Sequence, residues 1–600
     1  MNAFNKKFNI AIIPILLLGW GIFLMTFYDP FYSRSQDPEY PYLINGLNCA
    51  TLNFNYIGHI DHPGTPFQVY NGIMIQITHL ISGNGSMVQD VFARPEHYLN
   101  AISASMFLIQ AFLIFLVGLF GFKRKIPFWQ IALLQASFLF SDVLMYLCSR
   151  ANPDRFFMIA GLIFIIIYLK HGYENRSPLK FALWSGTAMA LGMATKFNFL
   201  PVLILPLLLI DTNKNRLIYA GSGIVSFFIL ISPIIDKFDD YYRFLKSIFS
   251  HDGLYGSGDA NVMNFQKMKD STFDIFKLNP ELLILIIALV ILIYIAIRKQ
   301  DEEGEEAEGM KGYIYLFAGY LLIIAIQILL VSKHFKNYYL APTFIIYGFI
   351  FFTISKFLSR IMKHNSRLIL VCNILPVLFI VFMAVKVKRE LPGIAKGIEL
   401  QNKTRAFIYN EISKDDIWFI EPTWESGPHV ENAIVYGLSY CGHRDQYASQ
   451  LKAVNPNIIT YEGNNAEVKL WRCAPISLDS MVATGKNIYI YSTPGRNAPV
   501  LLKMVQESAS RNQFQLLVDT VFSNKDLQAD IIKVKVTNPS SNWKVKAPAA
   551  INKQKIDKFI QSIKNTPEWL EKVRKKAVEK NISLDSMIML DAIYMSEQEK

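Results

Sequence analysis

The chain has 600 residues, 52% hydrophobic and 14% aromatic but only 18% charged, a balance that excludes an ordinary soluble globular protein. Its formal net charge of +12 fits cytosolic membrane loops that retain Lys and Arg, and no groove-reading module accompanies it, so nucleic acid is not an expected partner. The five cysteines, Cys49, Cys148, Cys372, Cys441 and Cys473, have neither the paired spacing of a zinc site nor the density of a disulfide scaffold.

The first apolar run, 8–28, follows Lys6 and Lys7 and has no small-x-small cleavage site before Asp29, so it reads as a retained first helix. The polar stretch 29–98 follows. Inside it, 68–81 is apolar but short and is interrupted by Gln68, Asn71, Gln76 and His79, which fits an amphipathic juxtamembrane helix better than a span. Further spans are expected at 99–122, 127–148, 156–170, 180–195, 197–210, 217–235, 280–297, 312–331, 338–355 and 368–386, for a total of about eleven. After Lys386 such runs stop.

Residues 391–600 read as an α/β domain. Strand patterns occur at 417–420, 433–440, 457–461, 468–472, 487–491, 514–521 and 531–536, and helical patterns at 498–511 and 554–580. The expected fold is therefore a polytopic α-helical membrane protein, with a membrane domain over 1–390 and an extracytoplasmic α/β domain over 391–600.

Charge sets the orientation. With the N-terminus in the cytoplasm, the inner loops hold Lys123, Arg124 and Lys125, then 170–180, Lys214 and Arg216, 298–311 and 356–367. The outer stretch 29–98 then holds only Arg34 and Arg94, as the positive-inside rule requires. The C-terminal portion falls on the same outer side, and a bacterial inner membrane is the expected location.

The outer stretch is longer than a connector needs to be, and long ordered loops are often functional. It carries Asp29, Asp37, Glu39, Asp61, His59 and His62, together with several aromatics. Carboxylates beside a membrane face suit proton abstraction from an acceptor that meets a lipid-borne partner. Each has a plainer reading. Asp37 precedes Pro38 as a turn residue does, Asp61 and His62 fit a knot of loop hydrogen bonds, Asp154 sits where a helix cap would, and Lys196 fits a snorkelling anchor. Asp142, inside an apolar run, is costly unless it faces protein or water.

The order Asp37-Pro38-Glu39-Tyr40, Gly46, His62-Pro63, an amphipathic helix and then Arg94 resembles the opening of the GT-C membrane glycosyltransferases, in particular the protein O-mannosyltransferase and aminoarabinose-transferase branches. Asn152-Pro153-Asp154-Arg155 resembles that family's second acidic position. Ala194-Thr195-Lys196 resembles its Thr-Lys-Gly-Pro element, with Phe197 and Asn198 in place of Gly and Pro. Lys333-His334 followed by Tyr338-Tyr339-Leu340-Ala341-Pro342 is similar to its Tyr-Leu-Pro element.

The resemblance implies transfer of a sugar from a polyprenyl-phosphate carrier to a protein, lipid or glycan acceptor at the outer membrane face. It implies Asp37 and Asp154 as catalytic carboxylates. It implies substrate contacts from Glu39, Tyr40, His62, Arg94, Lys196, Lys333, His334 and Tyr339, and Asp61, beside His62, is a binding candidate from its place in the loop. His251 and Tyr255, in the Gly-rich outer loop 236–279 that reads equally as a mobile lid or a disordered connector, are added as binding candidates. A monophosphate leaving group is handled by cations alone, so no cofactor or metal is expected. A transporter or flippase of lipid-linked glycans, or a membrane scaffold, is the rival expectation.

Overall fold

The structure, a computed structural model, describes residues 9–28, 30–33, 38–61, 64–148, 150–251, 256–262, 264–302, 307–362, 366–421, 427, 429–462, 467–493, 498–537, 553–579, 584, 587–588, 591–592 and 595. Among the site candidates, Asp37, His62 and Tyr255 lie outside the described residues. The chain forms two compact units: Met1–Ile476 with 493–497 and 524–529, and Ser477–Ser492 with 498–523 and 530–600.

The first unit is built on helices. Among the described residues, six are long and apolar enough to cross a membrane: Pro95–Lys123, Asp154–Asn175, Asn213–Ser250, Pro280–Gln300, Gly309–Ser332 and Asn337–Ile361. The protein is an integral membrane protein. On the helix from Pro280, Leu282, Leu285, Leu289, Leu292 and Ala296 recur every three or four residues and are buried. Ile284, Ile287, Ile291 and Tyr294 on the opposite side are exposed. A helix apolar on both faces belongs in hydrocarbon, where the outward face contacts lipid.

Two expected spans are broken. The run 127–148 divides into Phe128–Gln135, a 3-10 turn Ser137–Phe140 and Asp142–Leu147. Ser141 starts the last piece by taking an extended conformation and accepting from the Leu144 amide at 3.4 Å. The run 197–210 is a 3-10 segment Phe197–Leu203 followed by the short helix Ile204–Leu207, because Pro201 and Pro206 withhold two backbone donors. The run 368–386 lies within one long helix, Ser366–Glu411, which continues past the apolar stretch.

The outer stretch contains more helix than its pattern indicates, with Glu39–Ala50, Thr65–Ser82 and Met87–Ala93 all helical. Every residue of Glu39–Ala50 is buried, so it carries no amphipathic signature. Thr65–Ser82 is amphipathic in an inverted sense. Gln68, Asn71 and Thr78 face inward, while Ile73, Ile77, Leu80 and Ile81 are exposed. Glu96, at the head of Pro95–Lys123, accepts from the Phe31 amide at 2.7 Å and the Tyr40 hydroxyl at 2.6 Å, fixing the start of the stretch to the bundle. The expected lid 236–279 contains two helices, Phe238–Ser250 and Phe265–Leu278.

Beyond the long helix the first unit adds strands β1 (Ile417–Ile420), β2 (Ile458–Glu462), β3 (Glu467–Leu470) and β4 (Ala474–Pro475), in the order β4-β3-β2-β1. β1 and β2 are parallel, with Phe419 opposite Ile459, and β2 to β4 are antiparallel. The strand expected at 433–440 is instead the helix Val430–Leu438. Asn432 to Leu438 are all buried, and a short run apolar on every side does not distinguish a helix from a strand. The second unit holds β5 (Ile488–Ser492), β6 (Gln515–Asn524) and β7 (Ala529–Thr537), with β5 antiparallel to β7, and the helix Ala498–Arg511. The helix expected over 554–580 is two, Lys553–Asn565 and Pro567–Glu579, divided at Pro567. Outside the membrane helices the protein thus carries a C-terminal sheet region.

Candidate active site

A cavity of about 420 Å³, with charged side chains set in a largely apolar wall, opens in the first unit at the ends of several helices. Its wall comes from distant parts of the chain: Pro38, His59 and Asp61 from the outer stretch, Asp142, Arg150, Asn152 and Asp154 from the second hundred residues, then Lys196, His251, Lys333, His334, Tyr339, Glu390 and Tyr440.

Asp154 lies in the first turn of the helix Asp154–Ile167, where the exposed amides of a helix N-terminus favour a carboxylate. Lys196 immediately follows the helix Pro178–Thr195, in an extended conformation that turns its side chain away from the helix axis. The 3-10 segment then folds back so closely that a Cβ on Gly192 would meet the Phe199 ring at 2.4 Å. The result is a buried ion pair, with Lys196 Nζ 3.0 Å from both carboxylate oxygens of Asp154. The same ammonium lies 5.5 Å from the Tyr338 ring centroid.

Two further cations reach the wall. Lys333 donates to the carbonyls of Ile248 at 2.7 Å and Phe249 at 3.0 Å. Arg150 forms a buried two-pronged ion pair with Glu39, whose side chain is fully enclosed. On the opposite side, Asp142 pairs with Lys386 at 2.9 Å, and Lys386 also approaches Glu281 at 3.5 Å. Asn198 and Gln327 both donate to the Tyr339 carbonyl, at 3.1 Å and 2.9 Å, and so fix the segment that carries Tyr338 and Tyr339.

The loop residues titrate abnormally. Burial, with the Lys196 ammonium as a second cause, lowers His59 to about 3, so its imidazole is neutral at physiological pH. Burial raises Asp61 above the usual carboxylate range. Burial and the neighbouring Lys336 lower His334.

The cavity brings together Asp61, Asp154, Lys196, His251, Lys333, His334 and Tyr339 from the sequence-predicted set. Arg94 lies elsewhere. It pairs with Asp90 at 2.6 Å and donates to the Ser82 carbonyl at 3.0 Å, and so ties the helix Met87–Ala93 to the end of Thr65–Ser82. Tyr40 is enclosed with its hydroxyl on Glu96, and Glu39 reaches the cavity only through Arg150. Sequence reasoning missed Arg150, Glu390 and Tyr440. Arg150 had a usable signal, since it stands four residues before Asp154 in a break between apolar runs. Among the described residues no group of three or more His, Cys, Asp or Glu side chains is placed to hold a metal ion.

Residues 92–339 match the family model described as glycosyltransferase family 87, and this stretch supplies most of the cavity's charged wall. The chain is a membrane glycosyltransferase. No curated protein matches it in sequence. Among solved structures it is similar to ArnT from Cupriavidus metallidurans in the apo state, at 10% identity and a TM-score of 0.41, covering 86% of this chain and 97% of that one. It is also similar to ArnT from Cupriavidus metallidurans bound to undecaprenyl phosphate, at 11% identity and a TM-score of 0.43, with the same coverage.

The ion pair predicts a double-mutant pattern. Lys196→Ala leaves Asp154 buried without its cation and lowers stability by about 3–5 kcal/mol. Adding Asp154→Leu removes the stranded charge and restores most of the melting temperature in detergent, but not transfer activity. A Lys196→Ala protein that melts like wild type would show that the pair contributes nothing.

His59 predicts an acid limb. Its folded value lies below its unfolded value of about 6.5, so between about pH 6.5 and 3 the unfolded chain binds the extra proton and stability falls as pH falls. The slope approaches about 1.4 kcal/mol per pH unit. His59→Gln should flatten that limb in melting curves recorded from pH 7 to 4, and an unchanged slope would place the titration elsewhere.

Proposed function

We propose that the protein moves a sugar from a polyprenyl-phosphate carrier to an acceptor hydroxyl on a protein, lipid or glycan at the outer membrane face. The observation that carries this reading is the buried pairing of Lys196 with Asp154 in a cavity that Lys333 and Arg150 also line. Fixed cations of this kind suit a departing phosphate, whose charge grows as its bond to the anomeric carbon breaks.

A second cavity, of about 590 Å³, supports a lipid carrier. Its lining is almost wholly apolar and includes Met189, Met193, Leu207, Phe227 and Ile326. The segment that follows Lys196 borders both spaces, with Phe197 and Asn198 on the first and Leu200, Pro201 and Leu203 on the second. A donor with a charged head and an isoprenoid tail matches such a pair of neighbouring spaces.

In the reaction, the acceptor oxygen attacks the anomeric carbon, the bond from that carbon to the phosphate oxygen breaks, and the acceptor proton passes to a carboxylate. Asp37 is that base. It adjoins Pro38, which lines the cavity. Asp154 orients Lys196, and Lys196 with Lys333 and Arg150 takes up the charge of the leaving phosphate, so no metal is needed. Asp61, His251, His334 and Tyr339 contact sugar or acceptor. His62 and Tyr255, next to Asp61 and Gly256 of the wall, do the same. Glu39 acts through Arg150, and Arg94 takes no part.

The fuller topology has about eleven spans, a cytoplasmic N-terminus in a bacterial inner membrane, and an exposed apolar ridge at Ile73, Ile77, Leu80 and Ile81 lying in the membrane surface. Residues 29–98 and 391–600 are then both outside. An impermeant thiol reagent should label Ser86→Cys and Ser510→Cys alike in intact cells, since both positions are exposed. Labelling of one alone would invert part of the topology.

Purified protein mixed with a labelled polyprenyl-phosphate sugar and candidate acceptors should form a covalent product, whereas flux across vesicles without transfer would favour a flippase. Asp37→Asn should lower turnover by about 10²–10⁴-fold with donor binding retained. A variant that keeps more than about a tenth of wild-type turnover would place the base elsewhere, with Asp154 next.

A further inference from the structure

Tyr440 lines the cavity, yet it belongs to a turn that follows the helix Val430–Leu438, far beyond the membrane helices in sequence. The way this turn is held gives it a specific role. Ile57 and Cys441 form an isolated antiparallel bridge, and the Gly442 amide donates to the Tyr56 carbonyl at 2.8 Å. A Cβ on Gly58 would lie 2.5 Å from the Tyr440 carbonyl oxygen and 2.7 Å from the Gly442 nitrogen, both backbone atoms. The outer loop and the turn are therefore in main-chain contact immediately before His59 and Asp61 enter the cavity.

Two fully buried asparagines, three residues apart on the helix Glu39–Ala50, bracket this contact. The Asn45 amide group donates to the Tyr440 carbonyl at 3.0 Å, while its oxygen accepts from the Gly58 amide at 2.9 Å. The Asn48 amide group donates to the Tyr56 carbonyl at 2.9 Å, and its oxygen accepts from the Tyr447 hydroxyl at 2.6 Å and from Gln446 at 3.2 Å. Each side chain thus uses one end on the loop and the other on the turn. The rings continue the contact, with His59 4.8 Å from both Tyr42 and Tyr440.

We propose that Asn45, Asn48 and the turn 439–447 are positioning elements of the glycosyl-transfer site, holding the loop 57–61 in register so that His59 and Asp61 meet the substrate, with Tyr440 as the wall facing them. The proposal rests on the transfer reading of the cavity. Its chemical logic is that an enclosed Asn satisfied at both ends has one low-energy arrangement. Removing one end leaves buried backbone groups without partners and lets the loop drift, and a displacement of about 1 Å in a reacting geometry can cost about 10²-fold in rate.

Asn45→Ala and Tyr440→Ala should each lower kcat by about 10- to 100-fold with the KM for a labelled polyprenyl-phosphate sugar nearly unchanged. The double variant should be no worse than the poorer single, because both act through one loop. Tyr440→Phe, which keeps ring and backbone, should restore most of the rate, and Gly397→Ala, whose Cβ meets nothing within 4 Å, serves as the unperturbed control. Wild-type kcat in either alanine variant, or effects that multiply, would overturn the proposal.

A second readout does not depend on transfer. An impermeant thiol reagent should modify Asp61→Cys several-fold faster when Asn45→Ala is also present, measured against the parent chain with its native cysteines. An unchanged labelling rate would sink the bracket even if the wild-type protein transfers sugar, whereas faster labelling together with a wild-type protein that transfers nothing would retain the bracket and overturn the reading of the reaction.

Discussion

Asp154 and Lys196 are both buried, and neither can hold its charge there alone. Removing such a pair from water costs several kcal/mol per ion unless geometry and additional bonds offset it. Here the offset comes from where the helices stop. The carboxylate occupies the positive end of one helix and the ammonium the negative end of another, each within the turn where the helix dipole is felt. The two helix ends must therefore meet, which forces the chain after Lys196 into a tight 3-10 return against Gly192 in place of a straight span. The break in the neighbouring run at Ser137–Phe140 similarly lets Asp142 begin a short helix where it reaches Lys386.

The same accounting explains the polar interior of the outer stretch. Glu39 is completely enclosed and tolerable only because Arg150 meets it with both prongs. Gln68 donates to the His59 carbonyl at 2.7 Å and Asn71 to the Tyr42 carbonyl at 3.2 Å, so both a loop and the neighbouring helix Glu39–Ala50 place backbone acceptors on side chains of Thr65–Ser82. This is why Thr65–Ser82 turns Gln68 and Asn71 inward while Ile73, Ile77, Leu80 and Ile81 face outward.

Much of this was legible in the sequence wherever one periodicity dominated. The long apolar helices, the helix at 498–511 and the strand at 417–420 all follow from run length or alternation. The failures share a cause. Glu39–Ala50 and Val430–Leu438 are enclosed on every side, so neither has a polar face to reveal a period of 3.6. Within the site, Lys196 and Asp154 were visible because each interrupts apolar sequence, and Lys333 and His334 because they close a span. Arg94 satisfied the same criterion, but its partner four residues earlier, Asp90, was already on its own helix. Arg150 is not singled out by sequence, since nothing local shows that its partner is Glu39, more than a hundred residues away.

Tyr440 marks the limit of such reading in the other direction. Its place in the wall depends on no motif near it, only on Asn45, Asn48 and Gly58 receiving its turn. Each of those residues is ordinary in sequence, since Asn and Gly are common in loops and helix ends for reasons of turn chemistry. What distinguishes them is enclosure. A buried asparagine has three or four hydrogen-bonding positions to satisfy and few neighbours able to do so, so its partners define one arrangement of chain segments and exclude nearby alternatives. Charge therefore fixes which helix ends meet at the cavity, and buried amides fix how the loop 57–61 is held beside them. The first is visible as interrupted apolar runs, and the second appears only once the chain has folded.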